Sequence, residues 1–182
     1  CSDKIIDSCN TTLLMMDDLL SHIQMNSEGV MVNRSQFILE DQINLICEDF
    51  KDTMNKKSIS LSLPDTKNEV ALDILKFRQI LSNILTNAIK FTNKNGSISI
   101  VVSITERAIQ LSVKDTGIGI SKDLQEEAFQ IFSKARRDGT EGEKSTGLGL
   151  SITKRLVELH DGTIKMESAE GVGTELLVCF PN

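Results

Sequence analysis

Three polar side chains share one stripe of an otherwise apolar segment. Asn83, Asn87 and Lys90 stand at i, i+4 and i+7 within Ile80-Leu81-Ser82-Asn83-Ile84-Leu85-Thr86-Asn87-Ala88-Ile89-Lys90-Phe91-Thr92. On a helix they point one way, while Ile84, Leu85 and Ala88 turn away. Two amides and an ammonium along a core helix are costly unless they meet a polar ligand. An asparagine carbonyl is a hard oxygen ligand for Mg²⁺, an ion that keeps several waters and bridges to substrate phosphates. Lys90 is placed to offset phosphate charge. The bland alternative is a solvated helix face.

Three GxG turns follow. Asp115-Thr116-Gly117-Ile118-Gly119-Ile120 sets a carboxylate before a glycine turn. Such a carboxylate can accept a hydrogen bond from an exocyclic amino group, as on adenine, a charged bond of roughly 1.5–3 kcal/mol. Gly117 and Gly119 let the backbone pass close to a flat base. Thr146-Gly147-Leu148-Gly149-Leu150 opens a helix whose first N–H groups can hold phosphate, with Ser145 or Thr146 as its cap. Gly171-Val172-Gly173-Thr174 is the third turn. Each alone has an ordinary turn or capped helix as its bland alternative, but the ordered set describes a pocket for a purine nucleotide and a metal ion. Other nucleotide motifs fail. GxGxxG is incomplete after Gly119, Gly149 and Gly173, GxxxxGK[ST] is absent, and so are HRD and VAIK signatures.

These residues need a frame. The 182 residues make one compact domain plus some extra, and a 40% apolar fraction suffices for a core. Aromatics are 4%, all Phe, so Ile, Leu and Val must fill it. The net charge of −6 and the lack of a basic stripe argue against nucleic acid as a partner. Cys1, Cys9, Cys47 and Cys179 form no CxxC and no Cys/His cluster. Cys9, Cys47 and Cys179 read as small core residues in a reducing compartment. No apolar run approaches a membrane span and no signal peptide is seen, so a cytoplasmic location is expected. The chain opens mid-pattern at Cys1, which suggests an excised fragment, with any membrane anchor outside it.

Residues 3–26 read as a helix with a heptad seam of Ile6, Cys9, Leu13, Met16, Leu20 and Ile23. That favours a bundle or coiled coil over packing on the chain's own domain. A short strand or connector over 30–38 precedes an amphipathic helix ending near Lys57, then a strand at 59–63. Asp73 is the expected N-cap of the long helix bearing the polar stripe. Alternating strands near 98–104 and 109–113, a helix at about 121–131, another at about 148–160, and final strands at 163–168 and 174–180 complete the chain. Residues 133–146 are poor in apolar side chains and read as a mobile loop. The expected fold is α+β: a two-layer α/β sandwich with a mixed sheet of about five strands and three helices on one face, preceded by the heptad helix.

The set resembles the ATP-binding catalytic domain of sensor histidine kinases, within the superfamily that includes gyrase, mismatch-repair and chaperone ATPases and anti-sigma-factor serine kinases. The stripe segment resembles the family's N box, Asp115–Ile120 its G1 box, Phe129-Gln130-Ile131-Phe132 its F box, Thr146–Leu150 its G2 box and Gly171–Thr174 its final glycine turn. The match runs from about Val30 to Pro181. The resemblance implies residues 1–28 as the second helix of the dimerisation and phosphoacceptor domain. It implies 29–182 as the catalytic domain with an ATP lid at 133–146.

By this resemblance Asn87 binds Mg²⁺ and Lys90 a phosphate, while Asp115 reads adenine with Gly117, Gly119 and Ile120 beside it. Phe132 belongs to the F box, and Lys134 or Arg136 reaches the γ-phosphate. Thr146, Gly147, Leu148, Gly149 and Leu150 line the phosphate tail, and Thr174 lies near adenine. Asn83, Asn87 and Lys90 form the catalytic set. Cofactors would be ATP or ADP with Mg²⁺. Partners would be a phosphoacceptor histidine helix, a response-regulator receiver domain, and a second copy through residues 3–26. The family's phosphoacceptor box is absent, and His22 stands before Ile23-Gln24 at the wrong end of its helix, so the fragment should not phosphorylate itself. Relatives often carry Glu at the position of Asn83; Asn cannot act as a base, which weakens a hydrolase more than a kinase. A nucleotide-gated regulatory module without phosphotransfer, or a serine kinase or ATPase, are the alternatives.

Overall fold

The computed structural model describes residues 31–65, 67–131, 133, 135 and 137–182. The heptad helix, Cys9 and His22 lie outside the described residues, as do Phe132, Lys134 and Arg136. The elements are β1 (Ser35–Ile38), α1 (Leu39–Asp49), α2 (Lys51–Lys56), β2 (Ser60–Ser62), β3 (Glu69–Leu72), α3 (Ile74–Phe91), β4 (Ser97–Ile104) and β5 (Ala108–Asp115). They continue with α4 (Lys122–Gln125), a 3-10 turn (Glu127–Phe129), α5 (Gly149–Leu159), β6 (Thr163–Ala169) and β7 (Gly173–Pro181).

Five strands form one sheet in the order β2-β4-β5-β7-β6. β2 runs parallel to β4 and the other neighbours are antiparallel, so the sheet is mixed. Period-two alternation decides which face is covered. Ile98, Ile100, Ile109, Leu111, Val113, Leu176, Val178 and Phe180 are buried. They meet Phe77, Ile80, Leu81, Ile84 and Leu85 of α3 and Ile152, Leu156 and Val157 of α5 in one core. Fully burying each of these side chains contributes about 1.5–3 kcal/mol. The expected α+β sandwich is therefore the fold.

Three details differ from the sequence reading. The amphipathic segment before Lys57 is two helices, broken at Phe50 (φ −97°, ψ −1°). β3 pairs with β1 in a small separate sheet, Ser35 opposite Leu72 through Ile38 opposite Glu69. The helix expected at 121–131 shrinks to α4 and the 3-10 turn. Cys47 is buried, and burial pushes its thiol up to about 11. Cys179 is not a core residue. It falls between Val178 and Phe180 on β7 and so takes the opposite face of the sheet, where it is half-buried.

Asp73 caps α3 as expected, its Oδ1 accepting the N–H groups of Leu75 and Lys76 at 3.1 Å each. His160, at the C-cap of α5, reaches the same place. The Asp73 N–H donates to His160 Nε2 at 3.3 Å, and Nδ1 lies 2.8 Å from Leu156 O. Both ring nitrogens are thus satisfied in the neutral Nδ1–H tautomer, with the ring edge-on to Phe180. Burial holds its pKa below 6.5; Leu156 O and the Asp73 carboxylate oppose this, while Arg34 and Lys76 add to it. A histidine buried neutral contributes stability that is complete above its unfolded pKa of about 6.5 and is lost as pH falls below that value. Urea unfolding should therefore show stability falling as the pH is lowered below about 6.5. The His160→Gln variant should lose most of that slope; an unchanged slope would remove His160 from the account.

Candidate functional site

Two adjoining cavities open beside α3. The larger, about 260 Å³, is lined by Asn83, Asn87 and Lys90 from α3 and by Lys144, Ser145, Thr146, Gly147, Gly149 and Leu150 from the approach to α5. The smaller, about 40 Å³, is lined by Asp115, Thr174, Met166 and Leu176 among others. Asn87, Phe91, Ile120, Arg137 and Leu150 line both. So the amide stripe, the acid of β5 and the glycine turn before α5 converge on one cleft.

The acid end is built by hydrogen bonds. Gly117 N–H donates to Asp115 Oδ1 at 2.8 Å and Thr174 N–H to the same oxygen at 3.2 Å. Oδ2 is left as the acceptor on a side chain that lines the cavity. Burial raises the pKa of this carboxyl above the usual value, against the pull of the Gly117 and Thr174 N–H groups and the Arg137 guanidinium. Ser168 ties the turns together. Its hydroxyl accepts from Ile120 N–H, bonds Gly173 O, and meets Thr174 Oγ1, each at 2.8 Å. Gly119 sits at φ +62°, and a Cβ there would fall on Ala169 O, so the tight approach it permits is to β6.

The other end lies between α3 and α5. A Cβ on Gly149 would come to 4.0 Å from Asn83 Cγ and Asn87 Nδ2, ordinary contact, which measures how close the helix start lies to the stripe. Asn83 Nδ2 donates to Gly149 O at 3.3 Å and Thr153 Oγ1 at 3.4 Å. No side chain caps α5 at its N-cap, Leu148, though Thr146 Oγ1 accepts Leu148 N–H at 3.4 Å. Ser145 lines the larger cavity instead. The N–H groups of the first turn of this 11-residue helix are thus available to an anion. Lys90, 9% exposed, donates from Nζ to Lys144 O.

Phe91 and Arg137 line both cavities and Ser168 ties the turns beside them, yet the sequence singles out none of these three. Phe91 directly follows Lys90, and that adjacency is the only signal for it. Arg137 belongs to the basic run of the loop, where sequence does not tell which cation points inward; its Nη2 donates to Gly119 O and its guanidinium stands 5.4 Å from the Phe91 ring centre. Ser168 carries no sequence signal at all.

A two-layer α+β sandwich with this cleft is the architecture of an ATP-binding catalytic domain. The chain belongs to the histidine kinase-, DNA gyrase B- and HSP90-like ATPase family, whose model matches residues 72–182. The sensor histidine kinase TmoS of Ectopseudomonas mendocina is 34% identical over 173 residues, 94% of this chain and 18% of its own length. Among solved structures, full-length ShkA in complex with AMPPNP is similar with a TM-score of 0.83 at 25% identity, over 96% of this chain and 36% of that one. The histidine kinase ThkA in complex with the response regulator protein TrrA gives 0.76 at 25% identity, over 98% and 50%. The chain thus spans about a fifth of the length of the curated relative TmoS.

Proposed function

We propose that this chain is the catalytic core of a two-component sensor histidine kinase, binding Mg–ATP and passing the γ-phosphoryl group to a histidine on a helix outside it. The observation that carries this is the position of Asn87, on the boundary shared by the two cavities, with Asp115 in one and Lys90 and the α5 N-terminus in the other. The base would sit against Asp115 and Thr174, and the phosphates against Lys90 and the turn from Thr146 to Leu150. Mg²⁺ would spread the phosphate charge, held by Asn87. Its remaining ligands would be phosphate and water, as is usual for Mg²⁺ bound with a nucleotide.

Asn83 would act by position. With Nδ2 committed to Gly149 O and Thr153 Oγ1, it fixes the α5 N-terminus against α3. The lack of a base at Asn83 weighs less for a kinase, because an imidazole nitrogen is already nucleophilic and phosphoryl transfer rests mostly on alignment and charge neutralisation. Lys134 or Arg136 would reach the γ-phosphate from the lid. The ThkA complex supports a response-regulator receiver domain as a partner. Among the described residues no helix is long and apolar enough to cross a membrane.

Incubation with ATP and a separate phosphoacceptor helix from a related kinase should give an acid-labile phosphoprotein. An acid-stable product would indicate a serine kinase, and no product a binding module. Asn87→Ala should uncouple nucleotide from metal. In the parent, Mg²⁺ should strengthen ATP binding by about tenfold or more; in the variant that gain should vanish. Equal metal dependence in titrations of both would reject Asn87 as the ligand.

A further inference from the structure

Lys57 belongs to no nucleotide motif and lines neither cavity, yet at 2% exposure it is more buried than Lys90. It stands at the C-cap of α2, and its ammonium reaches four acceptors. Two are carbonyls in the last turn of α3, Ile89 O at 2.8 Å and Lys90 O at 3.2 Å. Carbonyls there lack helical partners and favour a cation. The other two belong to the 133–146 loop: Thr140 Oγ1 at 2.7 Å and Glu143 Oε1 at 3.0 Å.

Around this contact residues 139–143 form a closed turn. Gly139 N–H donates to Glu143 O at 2.8 Å, Gly142 N–H to Gly139 O at 3.0 Å, and Thr140 N–H to Lys90 O at 3.0 Å. Glu141 N–H donates to Glu143 Oε2 at 2.8 Å, and Lys94 pairs with Glu141 at 2.7 Å. The next residue behaves differently. Lys144 offers its carbonyl to the Lys90 ammonium inside the larger cavity.

We propose that Lys57 anchors the loop, fixing a root at 139–143 that leads into a hinge at 144–147, which opens when phosphate takes the Lys90 ammonium. This rests on the reading that phosphate reaches Lys90. A phosphate oxygen is a charged acceptor and displaces the neutral Lys144 carbonyl. The Lys57 ammonium lies outside the cavity, so phosphate offers it no substitute for Glu143. Letting go would leave a buried charge without its counter-ion, which is strongly unfavourable. Residues 144–147 would therefore move about a point set by Lys57 while 139–143 stay in place. Lys57 is in this sense a positioning residue for the phosphate site.

Hydrogen exchange on the full chain, with and without Mg–ADP, tests this. In the parent, amides of 139–143 should be protected without nucleotide and stay so with it, while those of 144–147 change. Lys57→Met should speed exchange at 139–143 by about tenfold or more without nucleotide. Should that variant fail to fold, Thr140→Val combined with Glu143→Gln attacks the same contact from the exposed side and should give the same result. Root amides that exchange alike in parent and variants would overturn the anchor, even if Lys57→Met lowered the melting temperature. Release of the root by Mg–ADP in the parent would overturn the hinge. A parent that binds no ADP by calorimetry would sink the nucleotide reading instead, and the nucleotide-free comparison would still decide the anchor.

Discussion

Replacing Asp115 with Asn should cost this chain most of its affinity for ADP while leaving the fold intact. The two side chains are nearly isosteric, and Oδ1 can still accept from Gly117 and Thr174. That choice fixes the amide orientation. Nδ2 then stands where Oδ2 was, on the cavity side, and meets the exocyclic amino group of adenine as donor against donor. The loss is at least the charged hydrogen bond, roughly 1.5–3 kcal/mol, or about ten- to a hundredfold in the dissociation constant. Calorimetric titration measures it directly, and unchanged ADP binding would remove Asp115 from the base site. The parent carries a second signature. Because burial raises the Asp115 pKa, binding that needs the carboxylate should fade on acidification at a higher pH than an ordinary aspartate would give.

The site was legible wherever chemistry and local geometry coincide in sequence. Asn83, Asn87 and Lys90 are spaced by the turn of a helix, and Asp115 precedes its own glycine turn, so types and positions could be read together. The cap at Asp73 and the pairing of β4 with β5 were visible for the same reason. What escaped depends on contacts across the fold. Ser168 organises the turns around Asp115 only because the pairing of β6 with β7 brings it to Thr174 and the loop after β5 brings it to Ile120. β3 is four residues long, and its partner β1 lies before two intervening helices, so alternation alone gave no reason to pair them. The 133–146 loop reads as mobile from its polar composition, which does not tell that Thr140 and Glu143 give polar groups to a lysine more than eighty positions earlier. Sequence showed the supply of donors and acceptors there, but not where they are used.

Gly173→Ala should be among the most damaging single-methyl changes at the described glycines. Gly173 starts β7 at φ +131°, a conformation that L side chains rarely adopt, and a Cβ would fall on the carbonyl oxygen of Asp115, well inside van der Waals contact. Neither side can give easily. Asp115 ends β5 opposite Thr174, and Gly173 O accepts the Ser168 hydroxyl that also holds Ile120. Moving the strand apart therefore disturbs the acid, its Thr174 N–H and the Ser168 network together. Backbone strain plus overpacking should cost about 3 kcal/mol, a fall of about 6–12 °C in melting temperature for a domain of this size. ADP affinity should fall as well, because Oδ1 of Asp115 is held by the displaced strand. Gly171→Ala separates the two causes. Gly171 lies at φ +75°, but a Cβ there meets nothing within 4 Å, so it carries the conformational penalty without the clash. It should lose only about 1 kcal/mol and keep its nucleotide affinity. If the two variants melted alike in a thermal scan, the close approach of β7 to Asp115 would not be what this glycine is for.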